Sequence, residues 1–129
     1  MEHVIVTGGS SGIGLSIARL CAKEGHHVTI IARRKLMLKK ARKLLLSDQI
    51  TKGQEILTLS ADVTNLRDIN HAIEMSMKKL GTPCRLFLSA GRVSPGHFQD
   101  ISLSDFKSDM DVNFLVPYML FGQFCLQWY

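Results

Sequence analysis

Residues 6–14 read VTGGSSGIG, with glycines at 8, 12 and 14 and hydroxyls at 10 and 11. Side chains are absent where a backbone turns, and small donors stand where an anion could sit. The spacing Gly8-x-x-x-Gly12-x-Gly14 suits a phosphate cradle. Gly8 permits a tight turn, Gly12 lets the backbone approach a pyrophosphate, and Gly14 lets a following helix pack close. A helix opening here directs free N–H groups and the positive end of its dipole at the anion. Ser10 and Ser11 add hydroxyl donors. An ordinary strand-to-helix turn does not require that set of residues together.

The second chemical cue is IARR, residues 31–34. A dinucleotide site that takes NAD places a carboxylate at the end of its second strand, for the ribose 2′-hydroxyl. Arginine there instead pairs with a 2′-phosphate. Arg33, helped by Arg34, therefore points to NADP(H). The alternative is that both are surface charges at the start of a helix.

These groups need a scaffold, and the chain alternates the signals for one. Apolar, β-branched runs mark strands at 3–8, 27–32, 55–62 and 85–91. Helical patterns cover 12–24, 35–48 and 65–79. Ile13, Ile17, Leu20 and Cys21 are expected on the inner face of the first. Leu36, Ala41, Leu44 and Leu45 are expected on that of the second, and Leu66, Ile69, Ile73 and Met77 on that of the third. Ser104 is expected to cap a last helix from Asp105 towards the end. The strands lack polar alternation, so both sheet faces are covered. The fold class is α/β: a Rossmann-like, doubly wound parallel sheet of about four strands in the order 3-2-1-4. The whole chain reads as one incomplete NADP-binding domain, with 116–129 a divergent tail. The fourth strand is left as an open edge.

Composition narrows the classes. Of 129 residues 46% are hydrophobic, which argues against disorder. Cys21, Cys84 and Cys125 are too few and too scattered for a disulfide framework and fit reduced thiols. The histidines form no metal spacing, so no metal is expected. The apolar stretch 114–126 is short of a bilayer span and contains Pro117 and Gln123. A proline inside a helix costs ~3 kcal/mol, so that helix is expected to kink or end. Strand-like residues begin at His3, so no leader is expected.

The net charge of +5 comes mainly from 33–43, RRKLMLKKARK, where seven residues are basic and none acidic. No aromatics are interleaved for base stacking, so nucleic acid is not the expected partner. A solvated helix face is the favoured reading; contact with an anionic membrane surface is the weaker one.

Four motifs then carry a resemblance. TGGSSGIG (7–14), ADV (61–63), SAG (89–91) and DVN (111–113) stand in the order of the short-chain dehydrogenase/reductase family's TGxxxGxG loop, its adenine-contacting Asp-Val, the end of its NNAG motif and its asparagine helix. The resemblance runs to about Leu115. It implies that Gly8, Ser10, Ser11, Gly12, Ile13 and Gly14 bind the cofactor at its phosphates and Arg33 and Arg34 at the 2′-phosphate. It implies Asp62 and Val63 at the adenine, Ala90 and Gly91 near the nicotinamide ribose, and Asn113 as a structural anchor of the proton relay. Within the family, HVIVTGGSSGIG, VTIIAR, LSADVT and LFLSAG resemble the 3-ketodihydrosphingosine reductase group. That implies NADPH-dependent reduction of a 3-keto lipid in sphingolipid synthesis, at the cytosolic face of the endoplasmic reticulum or in the cytoplasm.

The sequence departs from the family at Leu88 and Ser89, which replace the two asparagines of NNAG. A catalytic Ser and a YxxxK pair are also missing. Tyr118 is followed at the fourth position by Gly122, and Tyr129 is the last residue. The chain is therefore expected to be a fragment or truncated form, inactive alone. The alternative is a non-catalytic NADP-binding or regulatory module that pairs through its edge and tail with a full-length homologue.

Overall fold

The structure, a computed structural model, describes residues 1–128, with the side chains of all of them but 123 and 126–128. Tyr129 lies outside the described residues. Two compact units divide the chain, the first Met1–Ser89 and the second beginning at Ala90.

In the first unit, β1 (His3–Thr7), β2 (His27–Ala32), β3 (Ile56–Ser60) and β4 (Arg85–Leu88) form one parallel sheet in the order β3-β2-β1-β4. This is the order read from the alternation. Between the strands run α1 (Gly12–Lys23), α2 (Lys35–Ser47) and α3 (Leu66–Leu80). All five residues of β1 are buried, which matches their uninterrupted apolar run. Among the described residues β4 pairs only with β1, so its other edge is open.

The helix faces differ from the periodicity reading. α1 turns Gly14, Ala18, Cys21 and Ala22 inward, while Ile13 is 76% exposed and Leu20 is exposed. Small residues let α1 lie close to the sheet, and the larger apolar side chains are displaced outward. α2 buries Leu38, Ala41 and Leu45; Leu36 and Leu44 point to solvent. α3 buries Ile69, Ala72, Ile73 and Ser76, with Leu66 exposed and Met77 only half-buried.

Side chains tie the helix ends to the layers. Asp48, after α2, accepts from Arg19 Nε of α1 at 2.6 Å and lies 3.7 Å from Lys23. Gln54, buried, donates to the carbonyls of Ala22 and His26 at 2.8 and 2.7 Å. His3, 3% exposed, ties the start of β1 to β2 and to the end of α3. Its Nδ1 lies 2.8 Å from the Gly81 carbonyl and its Nε2 2.9 Å from Thr29 Oγ1. A carbonyl only accepts, so the proton sits on Nδ1 and the Thr29 hydroxyl donates to Nε2.

The second unit contains a 3-10 turn (Phe98–Asp100), α4 (Leu103–Met110), a π-helical segment (Asp111–Leu115) and α5 (Val116–Trp128). α4 is capped by Ser102 and not Ser104: Ser102 Oγ accepts from the Asp105 N–H at 3.0 Å and donates to Asp105 Oδ2 at 2.8 Å. This reciprocal pair starts the helix two residues earlier than its apolar spacing suggests. Pro117 neither ends nor breaks the helix. It stands in the first turn of α5, and the π turn ahead of it absorbs the missing donor. Val116, Leu120 and Phe124 are the buried stripe of α5. Among the described residues no helix is long and apolar enough to cross a membrane, and no cluster of metal-ligating side chains occurs.

Candidate cofactor site

The loop after β1 is shaped by two contacts that only glycine allows. Gly8 turns with φ +68° while its N–H donates to the Ile31 carbonyl of β2 at 2.8 Å. A Cβ on Gly14 would fall on the Gly8 carbonyl and come within 3.2 Å of Ser89 Cβ. The turn, the first residues of α1 and the end of β4 are thus pressed together. Gly9, to which the sequence reading gave no role, is as constrained: its Cβ would meet Ile30 Cγ2 at 2.6 Å. The doubled glycine was the available signal. Its partner lies in β2, so local spacing does not reveal it.

Gly12, in contrast, faces open space, with φ +55° and no atom within 4 Å of a Cβ position. It is the first residue of α1. Ser11 before it is exposed and makes no side-chain capping bond, and the first turn holds no acidic residue. α3 is different: Asn65 accepts from the N–H groups of Arg67 and Asp68 at 3.1 and 3.2 Å, and Asp68 lies in its first turn. α1 therefore presents uncapped N–H groups at an open surface, the condition under which a helix end takes an anion. Ser10 is buried in the loop beside it; Ile13 is exposed.

Arg33 and Arg34 follow the last residue of β2, Ala32, and both are exposed. Arg34 is the N-cap of α2 and leaves its side chain out of the cap. Ser60 at the end of β3 donates its hydroxyl to the Arg33 carbonyl at 3.1 Å, and Ala61 N–H donates to the Ala32 carbonyl at 3.1 Å. The strand ends that carry Arg33 and Asp62 are thereby fixed to one another. Asp62 Oδ1 accepts from the Thr64 hydroxyl and N–H at 2.7 and 3.0 Å. Those two bonds, and the charge of Arg33 after them, hold its carboxyl below the usual carboxylate range. Val63 is buried.

At the end of β4, Leu88 pairs with Thr7, and Ser89 N–H donates to the Thr7 carbonyl at 3.1 Å.

In the second unit, Ala90 is half-buried and Gly91 exposed. Asn113 Oδ1 accepts from the Arg92 N–H at 2.9 Å and its Nδ2 donates to the Arg92 carbonyl. A Cβ on Gly91 would stand 3.4 Å from that Oδ1. Asp105 and Asp109, eight and four residues before Asn113, hold the same loop. Arg92 reaches them at 2.8 and 3.2 Å, and Ser94 N–H and Oγ donate to Asp109 at 2.9 and 3.1 Å. The four-residue interval Asp105, Asp109, Asn113 was the sequence signal for this ladder.

Among known proteins, the short chain dehydrogenase family matches residues 2–128. The 3-ketodihydrosphingosine reductase of Bos taurus is 38% identical over 114 residues, 88% of this chain and 34% of that protein. The 3-dehydrosphinganine reductase of Danio rerio is 38% identical over 114 residues, with the same coverage of 88% and 34%. The chain thus spans about a third of the length of these curated relatives. An actinorhodin polyketide ketoreductase variant solved with NADPH superposes with a TM-score of 0.87 at 28% identity, over 95% of this chain and 46% of that one. A blue fluorescent protein from a metagenomic library, in complex with NADPH, gives 0.79 at 26% identity, over 91% of this chain and 47% of that one. With a family match that runs from residue 2 to residue 128 and the parallel sheet in the order β3-β2-β1-β4, the chain belongs to the short-chain dehydrogenase family.

Proposed function

We propose that this chain is the NADP(H)-holding part of a ketone reductase, and that the ketone is a 3-keto sphingoid base of the 3-ketodihydrosphingosine type. One observation carries the cofactor half of the reading: the uncapped N-terminus of α1, opening at Gly12, with Arg33 at the end of the adjacent strand β2. The residues fit the group. Gly8, Ser10, Ser11, Gly12, Ile13 and Gly14 would hold the pyrophosphate. Arg33 and Arg34 would meet the 2′-phosphate, and Asp62 and Val63 the adenine. By the family resemblance, Ala90 and Gly91 would serve the nicotinamide ribose. Asn113 acts as a positioning residue, because both ends of its amide are spent on the Arg92 backbone. When bound, NADPH supplies the hydride. The substrate half rests on the names of the relatives, two of which are reductases of this ketone.

The proton donor is not among these residues: neither Tyr118 nor Tyr129 begins a YxxxK pair. The chain alone is expected to bind NADPH without reducing 3-ketodihydrosphingosine. Two measurements test this. Titration with NADPH and NADH, followed by nucleotide fluorescence, is expected to favour NADPH by at least tenfold; equal binding or a preference for NADH removes the cofactor assignment. Product formation from 3-ketodihydrosphingosine above a no-protein blank overturns the claim of inactivity.

The open edge of β4 supports a second reading, a non-catalytic module that pairs with a longer homologue through that edge. Its distinguishing result is a stoichiometric complex with such a homologue in sedimentation.

A further inference from the structure

We infer that the outer face of α2 docks on an anionic lipid surface. A purely solvated basic helix was the expectation while Leu36 and Leu44 were counted as core. The structure places both in solvent, Leu36 at 66% exposure and Leu44 at 41%. The inner face is Leu38, Ala41 and Leu45. Directly opposite stand Leu36, Lys39, Lys40 and Lys43, spaced i, i+3, i+4 and i+7, so they share one face. That face is a leucine followed by three ammonium groups, with exposed Leu44 and Leu46 on its flanks.

Charge complementarity identifies the occupant. No acidic residue lies between Arg33 and Ser47. Among the described residues, none of the five basic side chains of α2 itself, Lys35, Lys39, Lys40, Arg42 and Lys43, makes an ion pair, whereas Arg19, Lys23, Lys79, Arg85 and Arg92 all do. The field of α2 is left uncompensated by the protein itself. A polyanion would complete it, and two features select lipid over nucleic acid. The segment has no aromatic side chain on which a base could stack. Its exposed leucines also have no use against a phosphodiester backbone, but enter the headgroup boundary of a bilayer. Lysine stems reach past the leucine to lipid phosphates while their own methylenes remain on apolar surface. The inference rests on α2 alone and stands or falls independently of the cofactor and the ketone.

The test is co-sedimentation of the chain with vesicles of phosphatidylcholine containing phosphatidylserine, against phosphatidylcholine alone, at low and high salt. Binding is expected only to the anionic vesicles, and it is expected to weaken as salt rises. Neutralising Lys39, Lys40 and Lys43 together to Gln is expected to lower the affinity about a hundredfold, at roughly fivefold per lysine. Leu36→Ser alone is expected to lower it severalfold with every charge retained. Thermal unfolding and NADPH titration of the variants check that they fold, since none of these four residues is assigned to the cofactor. No binding to anionic vesicles, or equal binding by the triple variant, overturns the proposal. So does a Leu36→Ser variant that binds like the parent, which would leave charge alone as the cause. Tighter binding to duplex DNA or RNA than to the vesicles overturns it in favour of nucleic acid.

Discussion

A single carbon atom separates a working loop from a blocked one at Gly14. The Gly8 carbonyl occupies the place its Cβ would need. Gly14→Ala is expected to cost about 1–3 kcal/mol of stability, the usual penalty for overpacking, read as a lower midpoint in urea. NADPH affinity is expected to fall with it, because the shift is taken up by the turn at Gly8. The role proposed for Arg33 differs, since it works through charge and not through shape. Arg33→Ala is expected to lower NADPH affinity about 10- to 100-fold, the loss of one hydrogen bond to a charged group, and to leave NADH binding unchanged. Paired nucleotide titrations check both halves. The turn at Gly8 and the close packing at Gly14 were legible because each follows from a residue type at a fixed offset from a strand end. Gly9 and His3 were not. What constrains them, Ile30 in one case and Thr29 with Gly81 in the other, arrives from distant parts of the chain.

Helices show the same division between local and remote causes. Their existence and order were readable from periodicity, but their inner faces were misassigned at Ile13, Leu20, Leu36, Leu44 and Leu66. Apolar spacing reports which residues share a face. It does not say which face the sheet accepts, and a close-packed helix such as α1 accepts Gly14, Ala18 and Ala22 before leucine. The start of α4 was misplaced because Ser102 and Ser104 are equally good caps by type. The reciprocal bond with Asp105 decides between them. In the second unit, the α4–π segment works as a rack that holds residues 92–94 by Asp105, Asp109 and Asn113. Asn113→Ala releases the Arg92 N–H and carbonyl together. The Arg92 amide is expected to exchange with solvent deuterium about five- to tenfold faster, with β1 amides unchanged. Unchanged exchange at Arg92 would show that the aspartates hold the loop without it.

At the scale of the molecule, acid is the condition that exposes the design of the sheet's lower rim. Burial lowers the pKa of His3, against the opposing effect of the Gly81 carbonyl and with the added effect of His27. The folded chain therefore takes up this proton later than the unfolded chain does. Stability is fully present above the unfolded value of about 6.5, and it declines as pH falls from there towards the lower folded value. Urea midpoints measured from pH 7.5 down to 5.5 are expected to fall in that window. The fall is expected to be shallower in His3→Gln, which keeps a donor and an acceptor but no titration. The overall topology was legible, because four apolar runs separated by helix-length segments admit few arrangements. The pH response was not: a histidine at the start of a strand looks like a surface residue until the strands around it are placed.

The bond from Gly8 to Ile31 has a further consequence for how such a chain can change. Its clamp on β2 ends at Ile31, and the residues proposed to meet the 2′-phosphate begin at Arg33. The anchor of the glycine loop and the residues proposed to select the nucleotide thus occupy adjacent but non-overlapping stretches of β2 and its exit. Substitutions at 33 and 34 leave every contact of that anchor intact. Preference between two coenzymes is then free to drift, or to be re-engineered, without a compensating change anywhere in the glycine loop.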